Sequence, residues 1–195
     1  MRAIFPTIIH DINIPNFNRV QHDLIKFSYE EKKKDPVGNV KSNLGGWQSK
    51  GVYQRDNNIL LKTVSDNLFS YFSQDVLDMS KEIILNDLWI NINKKGDSNV
   101  PHDHPLSDMA GVLWIKTSKD SGNIEFSSPH HFTCGSEIER YTPKFKEKIN
   151  VYDTYWLSPV EGRILVFPSS LVHRVIPNES MEDRISASFN LKFVL

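Results

Sequence analysis

Apolar positions along the first 82 residues recur at helical spacing, and along the remainder they recur at sheet spacing. Phe17, Val20, Leu24 and Phe27 fall three and four apart, so one stripe of a helix faces a core. Asn16 or Asn18 can cap that helix, and Pro36 and Gly38 stop it. Leu68, Phe72, Val76 and Met79 mark one face of a second helix over about residues 65–81. Ahead of both, Ile4 to Ile9 is short, apolar and β-branched, and Pro6 within it suits an edge strand. Between the helices, Asn43-Leu44-Gly45-Gly46-Trp47-Gln48-Ser49 reads as a glycine turn with an aromatic anchor.

From Ile83 onward the pattern becomes short apolar or alternating runs broken by Gly, Pro, Asn and Asp, the signature of antiparallel sheet. Strands are expected near 84–93, 99–104, 109–116, 122–127, 150–158, 162–168, 172–176 and 184–194. Eight such strands suffice for two facing sheets, and the mouth between them can hold a ligand. The predicted architecture is an all-β jelly roll over residues 83–195, with residues 1–82 supplying a strand and flanking helices of the same single domain. The tract 132–150 is polar and aperiodic, and reads as a lid or binding loop.

Composition narrows the field. Lys and Arg number 23 against 24 Asp and Glu, so the surface has no overall sign with which to collect nucleic acid or anionic lipid. The charge run Glu30 to Asp35 reads as a solvated helix end. Cys134 is the only cysteine and has no intramolecular partner, and no amino-terminal apolar stretch has the length of a signal peptide or spanning helix. A cytoplasmic location is the expectation.

Three histidines carry the candidate chemistry. His102 and His104 are two apart in an expected strand, which turns both imidazoles to one face and Asp103 to the other. His173 lies 69 residues after His104, where one strand has ended and another begins. A strand pair plus one distant donor, with positions left open, is the arrangement of non-haem iron oxygenases. The commoner version has two histidines and a carboxylate; here His104 fills the second place unless Asp108 swings in. Farther on, Arg184 and Ser186 share a strand face, and a guanidinium fork beside a hydroxyl matches a carboxylate. His130 and His131 follow Pro129 in an expected loop, and His10 and His22 read as ordinary surface residues.

The order H-x-H, a long gap, His, then R-x-S resembles the 2-oxoglutarate and Fe(II)-dependent oxygenases. The stretch Trp89-Ile90-Asn91-Ile92-Asn93 through His102-Asp103-His104-Pro105 to Ala110-Gly111-Val112 is similar to a family of 2OG-Fe(II) oxygenases found in bacteria and phages. Gly45-Gly46-Trp47-Gln48-Ser49 and Phe167-Pro168-Ser169 extend that similarity, which runs from Phe5 to Asn190. The resemblance implies a cupin-like double-stranded β-helix, Fe(II) on His102, His104 and His173, and 2-oxoglutarate gripped by Arg184 and Ser186. It implies that Asn91, with Asn93 on the same face, bonds the cosubstrate. It places Trp114 where related enzymes often carry a tyrosine for the far carboxylate, and the indole has no hydroxyl acceptor. The implied reaction consumes O2 and hydroxylates a substrate that the residues do not specify. Two other readings stay open: a three-histidine enzyme without 2-oxoglutarate, and a binding module that has lost its reaction.

Overall fold

The computed structural model describes residues 6–52, 58–130, 139–149 and 151–194. Ile4, Phe5, His131, Cys134, Asn150 and the first part of the expected lid tract, 132–138, lie outside the described residues.

Strands β4 (Ile83–Asn93), β5 (Ser98–His102), β6 (Met109–Lys116), β7 (Ile124–Ser127), β8 (Thr154–Leu157), β9 (Arg163–Pro168), β10 (His173–Val175) and β11 (Arg184–Phe193) form the core. The amino-terminal strands β1 (His10–Asn13), β2 (Asn43–Leu44) and β3 (Trp47–Gln48) extend its edges. A six-stranded sheet runs β1-β9-β6-β11-β4-β3, and a five-stranded sheet runs β2-β5-β10-β7-β8. All their pairings are antiparallel. From β4 to β11 the chain passes back and forth between the sheets, four core strands in each, which is the double-stranded β-helix anticipated above.

Alternation sorts the larger sheet. Leu88, Ile90 and Ile92 of β4, Leu113 and Ile115 of β6, and Ile185, Ala187 and Phe189 of β11 are buried together with Leu24, Val64, Leu68 and Phe72 from the helices. The opposite parity points between the sheets. There Ala110, Val112 and Trp114 join Ile124, Phe126, Leu165 and Phe167 in a second cluster. Helices therefore cover one face of the larger sheet, and the other face is left for the pocket.

Several boundaries differ from the sequence expectation. Helix α1 (Asn18–Lys34) begins after Phe17 with no side-chain cap bond, because the turn is closed by main-chain bonds from Arg19 to Asn16 and from Val20 and Gln21 back to this segment. Glu31, within the expected solvated run, is buried and paired with Lys34 at 2.8 Å. Helix α2 spans Ile59–Phe72 rather than 65–81. Asn58 sets its start by accepting from the Leu61 N–H at 2.7 Å, and the left-handed Asp75 (φ 58) bars continuation. Val76 still packs on the core from beyond the helix, and Met79 is exposed. The amino-terminal edge strand forms at His10–Asn13, after the expected segment rather than within it. A short helix α3 (Pro143–Ile149) occupies part of the expected loop. His10 is half-buried against Tyr71 and Phe72 instead of lying free on the surface, and burial lowers its pKa. The glycine turn forms as expected, with Gly45 and Gly46 at φ 69 and 67 and Trp47 buried and bonded to the Asp35 carbonyl.

Candidate metal centre and its pocket

His102 and His173 are direct cross-strand partners in the β5–β10 pairing. His104 lies beyond β5, which ends at His102, so strand alternation does not by itself aim its ring. Its orientation comes from its own N–H, which donates to the Ser169 carbonyl at 2.9 Å, and from Trp89, whose ring stacks on it at 5.8 Å. One nitrogen from each of the three histidines lies within 4.8 Å of the other two, and the His104 and His173 Nε2 atoms are 3.4 Å apart.

The tautomers follow from the neighbours. His102 Nδ1 faces the Val100 carbonyl at 2.7 Å, and His173 Nδ1 faces the Leu171 carbonyl at 2.9 Å. A carbonyl only accepts, so each Nδ1 carries the proton and each Nε2 presents a lone pair. Burial, reinforced by the charge of His102, lowers the His104 pKa to about 4 and the His173 pKa to about 3. Both rings are neutral at neutral pH, the state in which imidazole binds a metal. Asp103 is exposed, and Asp108 Oδ2 accepts from the Phe193 N–H at 2.7 Å, so neither carboxylate joins the cluster.

Across the pocket, the larger sheet presents polar residues on one inward face. Register puts Arg184 opposite Asn93, and Ser186 between Asn91 and Trp114. All five line the same pocket as the three histidines, and all five are buried. Arg184 is 1% exposed. Its Nη1 donates to the carbonyls of Ser121, Gly122 and Ile176, and its buried Nη2 has no partner. Burial lowers its pKa to about 10, against the pull of Asp97, so it stays a cation at neutral pH. A buried guanidinium that lines the pocket and keeps one nitrogen without a partner fits an anion such as a carboxylate. The Asn91 amide donates to Ser188 Oγ at 3.1 Å.

The lining also includes residues to which the sequence assigned no role, among them Trp89, Ser42 and Asn99. Trp89 has the same strand parity as Asn91 and Asn93, and alternation could have found it. Ser42, whose Oγ lies 3.3 Å from His102 Nε2, and Asn99, which donates to that Oγ at 3.2 Å, come from a loop and a strand edge with no sequence signal. His130 is exposed after β7 and does not line the pocket, and His22 is exposed on α1.

Comparisons with known proteins bear on the family and the fold. Residues 87–190 match the family described as "Putative 2OG-Fe(II) oxygenase". Nothing among curated protein sequences matches the chain. Among solved structures, a prolyl-4-hydroxylase from Pseudomonas putida superposes with a TM-score of 0.65 at 11% identity, covering 95% of this chain and 92% of that one. The viral collagen prolyl hydroxylase of Paramecium Bursaria Chlorella virus-1, solved with 2-oxoglutarate, gives 0.59 at 12% identity, with 96% of each chain covered. HygX from Streptomyces hygroscopicus, solved with nickel and 2-oxoglutarate, gives 0.60 at 11% identity, covering 95% of this chain and 83% of that one. These likenesses show the fold; the family match spans more than half of the sequence. The chain belongs to the 2OG-Fe(II) oxygenases, a family of oxidoreductases that use Fe(II) and 2-oxoglutarate.

Proposed function

We propose that this protein is a 2-oxoglutarate-dependent Fe(II) dioxygenase that hydroxylates its substrate, with His102, His104 and His173 as the metal ligands. The observation that carries the reading is the pairing of two features across one pocket: three convergent imidazole nitrogens, and a buried Arg184 whose Nη2 lacks a partner. A three-histidine enzyme without a dicarboxylate cosubstrate would have no use for the second. The donor set fits iron, since neutral nitrogens leave sites open for further ligands.

Each residue then has a task. The three Nε2 atoms hold the metal, and the Val100 and Leu171 carbonyls keep two of the rings in the ligating tautomer. Arg184 Nη2 and the Ser186 hydroxyl bind the far carboxylate of 2-oxoglutarate, and Asn91, Asn93 and Trp114 line its path. Phe167, Val112 and Ile124 keep water from that path. When bound, Fe(II) supplies the oxidising chemistry, in which O2, 2-oxoglutarate and a substrate C–H group give succinate, carbon dioxide and an alcohol. The single cysteine and the absence, among the described residues, of a helix long and apolar enough to cross a membrane support a cytoplasmic setting.

The test is anaerobic addition of Fe(II) and 2-oxoglutarate, watched for the weak visible charge-transfer band of the chelate, followed by succinate formation in air. The band is expected in the native protein. Arg184→Lys keeps the charge but loses the planar fork, and is expected to weaken 2-oxoglutarate binding by about 1.5–3 kcal/mol. Absence of the band, or unchanged affinity in Arg184→Lys and Arg184→Ala alike, refutes the reading.

A further inference from the structure

Arg184 has a one-sided environment. Two segments far apart in sequence, the turn ahead of β7 and the residue after β10, turn main-chain carbonyls toward a single guanidinium nitrogen. Ser121, Gly122 and Ile176 all accept from Nη1, the last two at 3.4 and 3.3 Å. The turn is itself tied, since Ser121 Oγ donates to the Ser118 carbonyl at 2.8 Å and the Ser121 N–H to the same oxygen at 3.3 Å. A second tie, from the Ile176 N–H to the Asn123 carbonyl at 3.0 Å, holds the two segments together.

Gly122 makes this convergence possible. It sits at φ +84, and a Cβ there would lie 2.4 Å from the Ile176 oxygen, 2.7 Å from Arg184 Nη1 and 2.7 Å from the Pro177 oxygen. Neither carbonyl is the end of a flexible side chain, so the guanidinium or the whole turn would have to move. Gly96 provides the contrast: at φ +87 it has the same left-handed backbone, yet an added Cβ would meet nothing within 4 Å.

We propose that Gly122 is a positioning residue for the cosubstrate: its bare backbone lets a cage of three carbonyls seize Nη1 of Arg184, which aims the idle Nη2 at the far carboxylate of the keto acid. This rests on the cosubstrate role given to Arg184 above. The cage fixes which nitrogen is offered, because carbonyl oxygens that accept from one end of the fork would repel a carboxylate placed there.

The experiment titrates the full chain, loaded with redox-silent nickel, with 2-oxoglutarate and with 2-oxobutyrate, by calorimetry. Both share the keto acid head, and only the first has the far carboxylate. The ratio of the two affinities therefore reads the grip on that carboxylate and is independent of the fraction folded. Gly122→Ala is expected to cut the ratio by at least about tenfold, and Ser121→Ala, which loosens the turn without adding an atom, by about two- to threefold. Gly96→Ala is expected to keep the native ratio. An unchanged ratio in Gly122→Ala overturns the proposal. If that variant does not fold, an unchanged ratio in Ser121→Ala overturns it instead. Arg184→Ala separates the two levels: if it too keeps the ratio, the cosubstrate reading has failed, whereas if it alone abolishes the preference, only the carbonyl cage has.

Discussion

The two sheets that face each other across the pocket differ in support. The larger is buried on both faces, with helices α1 and α2 on one side and the pocket cluster on the other. The smaller is thin: at its edge, β8 leaves Tyr155 and Trp156 44% and 58% exposed. Its metal-ligand candidates stand at strand ends, with His102 closing β5 and His173 opening β10, whereas Asn91, Trp114 and Ser186 stand within long strands of the larger sheet. The face proposed to hold the cosubstrate is made rigid by packing. The histidine face is held by register and a few main-chain bonds, which is sufficient for donors that a metal ion would itself draw together.

That contrast is tested first by stability. Phe189 in the larger sheet is fully buried, and its ring lies where a Cβ on Gly111 would come within 2.3 Å. Phe189→Ala is expected to cost about 3–5 kcal/mol by urea unfolding. Trp156→Ala in the smaller sheet should change stability by no more than about 0.5 kcal/mol. Comparable losses would break the contrast.

Metal affinity provides the second test. His104→Ala should lower nickel affinity by about 100-fold or more, whereas Asp108→Ala, which removes only a bond to the Phe193 N–H, should stay within about twofold of native. The reverse order would make the site a two-histidine, one-carboxylate triad.

The smallest effect is a slope. In the metal-free protein, burial keeps His104 and His173 neutral to about pH 4 and 3, while the unfolded rings protonate near 6.5. Below that value the unfolded state binds more protons, so stability falls as pH drops from about 6.5 toward 4. Each ring contributes at most about 1.4 kcal/mol per pH unit. Urea unfolding at pH 7 and pH 5 measures the slope, and His104→Gln should reduce it. Equal stability at both values would mean the rings are already exposed in the folded state.

What the sequence made legible follows from periodicity. Strand β6, Met109–Lys116, coincides with its expected span, and β4 and β11 fall within a residue at either end, because a strand between packed layers is specified by every side chain. Helix α2 was displaced because its start depends on a single capping bond from Asn58 rather than on the apolar stripe. The placement of His104 was anticipated from strand alternation, yet β5 stops two residues earlier and a bond to Ser169, from a distant turn, does the aiming. Ser42 and Asn99 were invisible because no local pattern brings residues 57 apart into contact. The chemistry-bearing types stood out in the chain; the loops that orient them did not.

The cross-strand pairing of His102 with His173 also has a consequence for the newly made chain. A polypeptide emerging amino terminus first exposes His102 and His104 together, but the third nitrogen arrives only after another 69 residues have been added. It becomes useful only once β10 has docked between β5 and β7. Strand β11, with Arg184, follows later still. Loading of the proposed metal site therefore waits until residue 173 has been made, and a ribosome stalled before it would hold a fragment with two of the three proposed donors and without Arg184.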